Sequence, residues 1–335
     1  MLAMLKGHHI NQTAFMCRMF DQLVNPVLSY GCQVWGPDVC HDALSLKDVI
    51  NRIKVVQEGV HIDFLRRVGG LPSSNPLWIL FKEFDRTPLH FQWLALCARF
   101  WSKATASLDT TTHTAYNELL RAAMHDNIKL AMANVDCWVS KFMKCMVQIH
   151  VISQEALDSC TTVKHFLELP IFESTVKSEL EHLWMSMCGQ IFGDSTDPRL
   201  ITDDTPVTNI RYRAWVDTPA QPQHLTAFLP THIKHEIIRL RSTSFPLAIQ
   251  MGRRQREKIT RSERFCKACF VDGVCACVED DKHFLLECPV YESIRTKYRN
   301  VFNEDSTPTS VLNFPDQNLF GRVLHEMLRH RSTFI

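Results

Sequence analysis

The chain has 335 residues, 45% of them hydrophobic and 22% charged, with a formal net charge of +1. That length gives room for two or three domains with cores of their own, and the composition is that of a globular protein rather than a disordered or fibrous one. The thirteen cysteines are mostly scattered singly through apolar patterns, and there is no signal-peptide pattern and no run of 18 apolar residues. A small secreted disulfide scaffold and a membrane-spanning helix are therefore excluded as expectations, and a reducing intracellular compartment, nuclear or cytoplasmic, is expected.

Only 11 glycines are present, which favours helices over tight hairpins. Leu46, Val49, Ile50, Ile53, Val60, Phe64 and Val68 follow a 3.6-residue period, with Ser45 and Asp48 as a capping box and Gly69-Gly70 and Pro72 as the stop. Asn75-Pro76 and Thr87-Pro88 each place a capping side chain before a proline at a first helical position. Between them Leu77, Leu80, Phe81 and Phe84 mark a short helix, and Leu89, Trp93, Leu96, Phe100 and Trp101 mark the next.

Met and Cys residues with Trp138 indicate helices from about 116 to 150, and Val176, Leu180, Leu183, Trp184, Met187 and Ile191 indicate another ending near Gly193. Such stripes are what any buried helix needs, so they read as core. From Gly193 to Pro230 proline and small polar residues dominate, as in a linker. An Ile233/Ile237/Leu240 helix, a basic run, a Cys/His cluster and helices near 292–302 and 317–331 complete the chain. The expected fold is mainly α, multi-helix bundle regions followed by a small zinc-knuckle domain. Its expected divisions are 1–106, 107–193, a linker at 194–230, and 231–335.

The chain commits to chemistry in one place. Cys266-x2-Cys269 is followed by His283-x4-Cys288, a spacing with which two thiols and a later His/Cys pair can surround one metal ion. Four protein ligands leave no open position, so a zinc held there would be structural rather than catalytic. Cys275 and Cys277, inside the 13-residue loop, are credible substitutes for one of the four. A thioredoxin-like redox motif would need a βαβ context, and none is visible.

Charge gathers around this cluster. Residues 231–299 hold fourteen Lys/Arg against nine Asp/Glu, so the remainder of the chain must be net acidic. Just upstream of the first ligand, Gly252–Arg264 carries six cations and two acids. Arg253, Arg254, Arg256, Lys258, Arg261 and Arg264, with Lys267 inside the cluster, form a candidate phosphate-binding row for RNA or DNA. Phe265 and Tyr291 are candidates for stacking on unpaired bases and equally for core. No catalytic residue is assigned. The pairs Asp203-Asp204 and Asp280-Asp281 have no evident partner carboxylate to share a metal, and no phosphate-binding loop, H-E-x-x-H helix or G-x-S-x-G elbow occurs.

Three segments carry a resemblance. Phe20–Trp35, with Pro26, Leu28, Tyr30-Gly31 and Trp35, resembles the thumb segment of LINE-type (non-LTR) retrotransposon reverse transcriptases. Glu83–Leu89 is similar to a stretch further along those polyproteins. Arg264-x-Cys266-x2-Cys269 with Val278–Pro289, Tyr291 and Arg295 resembles their C-terminal zinc knuckle. The resemblance implies a thumb-to-knuckle portion without the fingers, the Tyr-x-Asp-Asp palm motif or the endonuclease. It implies nucleic-acid binding rather than polymerisation, beside a separate reverse transcriptase chain. A helical interaction scaffold with a structural zinc, or a decayed remnant with no selected function, is the alternative.

Overall fold

A computed structural model describes residues 12–41, 44, 56–109, 115–192, 211–212, 222–254, 259–270 and 277–334. The described residues are mainly α-helical and contain no β-strand, only one isolated antiparallel bridge between Phe265 and Val278. The expected capping box at Ser45 and Asp48, and most of the expected linker, lie outside the described residues. None of the described helices is long and apolar enough to cross a membrane. No disulfide joins any two of the eleven cysteines whose side chains are described.

The chain folds into two compact units, each assembled from separated segments. One takes residues 23–61 and 87–190, the other residues 1–22, 62–86 and 191–335. This interleaving differs from the consecutive blocks expected from the sequence, because residues 62–86 build their core with the C-terminal third.

The first unit is organised by the Cys32–Cys40 helix against the Leu89–Asp109 helix. A Cβ on Gly36 would lie 2.8 Å from Cys97 Sγ, so the close approach depends on that glycine. Trp93 donates its indole N–H to Ser29 Oγ at 2.9 Å and meets Trp35 edge-on. Trp35 in turn donates to Tyr30 O across Gly31, whose φ of 68° only glycine adopts readily. The Tyr30-Gly31-x3-Trp35 spacing thus closes a local clasp.

Pro37 sits inside the Cys32–Cys40 helix and cannot donate to the carbonyl four residues back. That carbonyl, Gln33 O, instead accepts the Trp138 indole N–H at 2.9 Å. Trp138 begins the Trp138–Gln148 helix and stacks with Phe142 against Trp101.

Thr87 does not cap the helix that follows it. Glu58, fully buried, accepts Leu89 N at 2.6 Å and His90 N at 3.3 Å, so a carboxylate from the Val56–Gly69 helix satisfies the orphan donors. His61 lies 3.1 Å from its other oxygen. Burial raises the Glu58 pKa, but hydrogen bonds and charge from His61 and His90 outweigh it and hold the carboxyl down to about 2.

In the second unit the Thr231–Arg241 helix packs on the Gln317–Arg331 helix, with Gly321 giving way to Leu229, Ile233 and Ile237. Gly70, at φ 61°, ends the Val56–Gly69 helix as expected, with Leu71 N donating to Arg66 O at 2.9 Å. Asn75 was expected to cap the Leu77–Glu83 helix. Its side chain is instead buried and donates to Ser242 O at 3.2 Å and Ser244 Oγ at 2.7 Å, distant groups it reaches in the core.

Glu83 is the polar centre of this unit. Arg241 Nε donates to it at 2.6 Å and Tyr212 Oη at 2.9 Å, while Arg241 also donates to Leu312 O at 2.6 Å. Burial pushes the Glu83 carboxyl up against the opposing pull of Arg241. His224 Nε2 lies 3.3 Å from Glu83 Oε1 but off hydrogen-bonding geometry, and burial pushes its pKa well down, so the ring is neutral. Two of the resembling segments meet here as well, where Arg86 donates to Asp21 at 2.6 Å.

Candidate metal centre

The sequence between the expected ligands folds around them. The bridge between Phe265 and Val278 brings the strand-like ends together, with Cys266 N donating to Cys277 O and Glu279 N to Arg264 O, each at 2.9 Å. The chain then turns tightly enough for Phe270 N to donate to Cys266 O at 3.0 Å, which sets Cys266 and Cys269 on one side.

The second pair needs a different device. Residues five apart on an α-helix point about 140° away from each other. His283–Glu287 is instead wound as a single π turn, closed by Cys288 N donating to His283 O at 2.7 Å. That i→i+5 closure returns Cys288 to the side of His283. The H-x4-C spacing is thereby explained by local backbone geometry.

Cys266, Cys269, His283 and Cys288 are all buried, and their ligand atoms all lie within 4.8 Å of one another. Cys266 Sγ is 3.9 Å from Cys288 Sγ, and Cys269 Sγ is 3.4 Å from His283 Nε2. A tetrahedral ion with metal–sulfur bonds of about 2.3 Å and a metal–nitrogen bond of about 2.05 Å needs about 3.8 Å and about 3.6 Å for those edges. The residues fit one ion. The hydrogen bond between Cys266 and Cys288 pulls the Cys266 thiol down and pushes the Cys288 thiol up. Cys277 is exposed and outside the cluster, and Cys275 lies outside the described residues.

The cluster is held by charges that spacing did not reveal. Asp280 Oδ1 accepts His283 N at 2.9 Å, and Arg211 pairs with both Asp280 (2.9 Å) and Asp281. Burial pushes the Asp281 carboxyl up, opposed by Arg211. Glu279, also buried, accepts Ala248 N and a two-pronged contact from Arg331 at 2.7 and 2.9 Å. Arg295 donates to Cys288 O at 2.6 Å, fixing the last ligand's backbone. Glu279, Asp280, Asp281 and Arg295 all fall in the resembling pattern, which gave no hint of their pairing with Arg211 and Arg331 or of the Arg295 bond to Cys288 O. Arg211 stands in a stretch expected from its sequence to be a linker, with no spacing to mark it. Phe284, Leu285 and Tyr291, all buried, supply the apolar side.

The expected phosphate-facing row is placed only in part. Arg253 and Arg254 end the Ala248–Arg254 helix, and their side chains, with all of Arg256 and Lys258, lie outside the described residues. Arg261 is half-buried and Lys267 exposed. Arg264 is a correction: it is buried, lies across Gly252, and donates to Ile259 O and Ile249 O. Its guanidinium is turned inward onto backbone carbonyls rather than out towards a ligand, so it is a structural cation. Tyr291 is likewise core rather than a stacking surface. Comparison with family models, with curated proteins and with solved structures finds no match to this chain.

Proposed function

We propose that this chain binds nucleic acid without catalysing a reaction, through a zinc-stabilised C-terminal module and its basic approach. The observation that carries the reading is the buried cluster of three cysteines and one histidine that follows the Gly252–Arg261 cations directly in the sequence. Soft thiolates with one imidazole in tetrahedral spacing favour zinc, and four protein ligands leave it no position for substrate. Arginines and lysines at that density suit a polyanion. Descent from a non-LTR retrotransposon reverse transcriptase, acting beside a separate polymerase chain, is the origin this reading favours. It is supported by the order of the three resembling segments.

Titration of fluorescent single-stranded RNA, single-stranded DNA and duplex DNA at several salt concentrations tests the reading. Affinity should fall steeply with salt, and Arg253→Ala, Arg254→Ala and Arg256→Ala together should weaken all three ligands alike. Absence of binding at low salt, or a flat salt response, defeats it. A second reading, an interaction scaffold, is favoured by the exposure of Leu23, Val27, Tyr30 and Val34, spaced four, three and four residues apart. Under it, reversing the arginine charges leaves capture of a protein partner intact.

A further inference from the structure

The metal module has an apolar interior of its own, in which Phe284 and Tyr291 are fully buried and meet edge to face. A second aromatic pair stands outside that interior. Phe265 and Phe270 stack with ring centroids 5.3 Å apart and planes within 6°, yet Phe270 is 43% exposed. Both rings are fixed by the backbone that builds the metal turn, Phe265 through its bridge to Val278 and Phe270 through its N–H bond to Cys266 O. Between them in sequence lies Lys267, exposed and without an ion pair or hydrogen bond among the described residues.

A parallel ring stack with one ring exposed, and an exposed lysine two residues after its first ring and three before its second, has chemistry suited to an unpaired nucleotide. The base extends the stack by one ring, and the ammonium meets its phosphate. A protein or lipid ligand would use the apolar face without needing that flat geometry or that cation. We infer that Phe270, backed by Phe265, is a stacking platform for one unpaired nucleobase, with Lys267 as its phosphate contact. This rests on the nucleic-acid reading above and names the residues that touch the base. The same geometry replaces Tyr291 with Phe270 as the stacking residue.

The test uses the full-length metal-loaded protein and two oligonucleotides of equal length, one of deoxythymidine and one with abasic sites throughout. Wild type should prefer the base-bearing strand roughly tenfold or more, in keeping with the loss seen when one stacking aromatic is removed. Phe270→Leu, which keeps the apolar contact with Phe265 and loses the π face, should remove most of that preference. It should keep one metal per chain. Lys267→Ala should weaken both strands and reduce the salt slope by about 0.7.

Equal affinity of wild type for the two strands overturns the platform, and so does an unchanged preference in Phe270→Leu. Neither of those outcomes touches the basic-row reading, which fails separately if wild type binds neither strand at low salt. Loss of metal from Phe270→Leu leaves the wild-type comparison of strands to decide.

Discussion

Lys234 offers the sharpest quantitative test of the packing. It lies on the buried face of the Thr231–Arg241 helix, only 3% exposed, and its Nζ has no hydrogen-bond partner among the described residues. Burial alone lowers its pKa from 10.5 to about 8. Each pH unit of displacement corresponds to about 1.4 kcal/mol, so folding with the charged amine costs about 3 kcal/mol at pH 7. Lys234→Met keeps the length and apolar stem and removes that cost, so the variant should be more stable by about 3 kcal/mol at neutral pH. The folded-state pKa is the lower one, so the penalty is complete below pH 8 and fades as pH rises towards 10.5. Urea unfolding of both proteins at pH 7 and pH 10 should therefore show the gap narrowing to under about 1 kcal/mol. A gap that is absent at pH 7, or that does not change with pH, would refute the claim that an unpaired ammonium is buried there.

Three further outcomes follow from the same geometry. Cys288→Ala should abolish stoichiometric metal by elemental analysis, and chelation of wild type should lower the unfolding midpoint while leaving the variant unmoved. Arg211→Met should weaken metal binding roughly tenfold to a hundredfold in a competitive chelator titration, because Asp280 would then hold His283 without its own counter-charge. Glu58→Gln should cost about 3 kcal/mol at pH 7, since the carboxyl is held down to about 2 against 4.5. Being depressed, that group contributes stability fully above pH 4.5 and loses it as pH falls towards 2, so acid unfolding monitored by circular dichroism should be shallower in the variant.

Periodicity is a good guide to most buried stripes, although Val60, on the expected stripe with Phe64 and Val68, is exposed. Leu77, Leu80, Phe81 and Phe84 are all in the core, as are Leu89, Trp93 and Trp101, while Leu96 and Phe100 sit at its edge. Ligand spacing was equally legible, because a metal turn is built from residues near in sequence. Caps were misread for the opposite reason. Asn75 and Thr87 have the right chemistry for local caps, but the donors at Leu89 and His90 are met by Glu58, and Asn75 is drawn to Ser242 and Ser244. Nothing in a short window reports such distant acceptors. Arg264 was misread because a guanidinium serves a phosphate or a cluster of carbonyls equally well, and only burial distinguishes them.

The polar centre at Glu83 also sets an order of events during synthesis. Its partners Tyr212 and Arg241 follow it by 129 and 158 residues. At roughly 5–20 residues per second, about 8–30 s of translation separates the carboxylate from the guanidinium that neutralises it. Through that interval the Leu77–Glu83 helix has an apolar face and a buried-type acid with nowhere to go. The nascent chain is thus exposed to aggregation or chaperone capture at one definable place, and release comes only when the Thr231–Arg241 helix has cleared the ribosome.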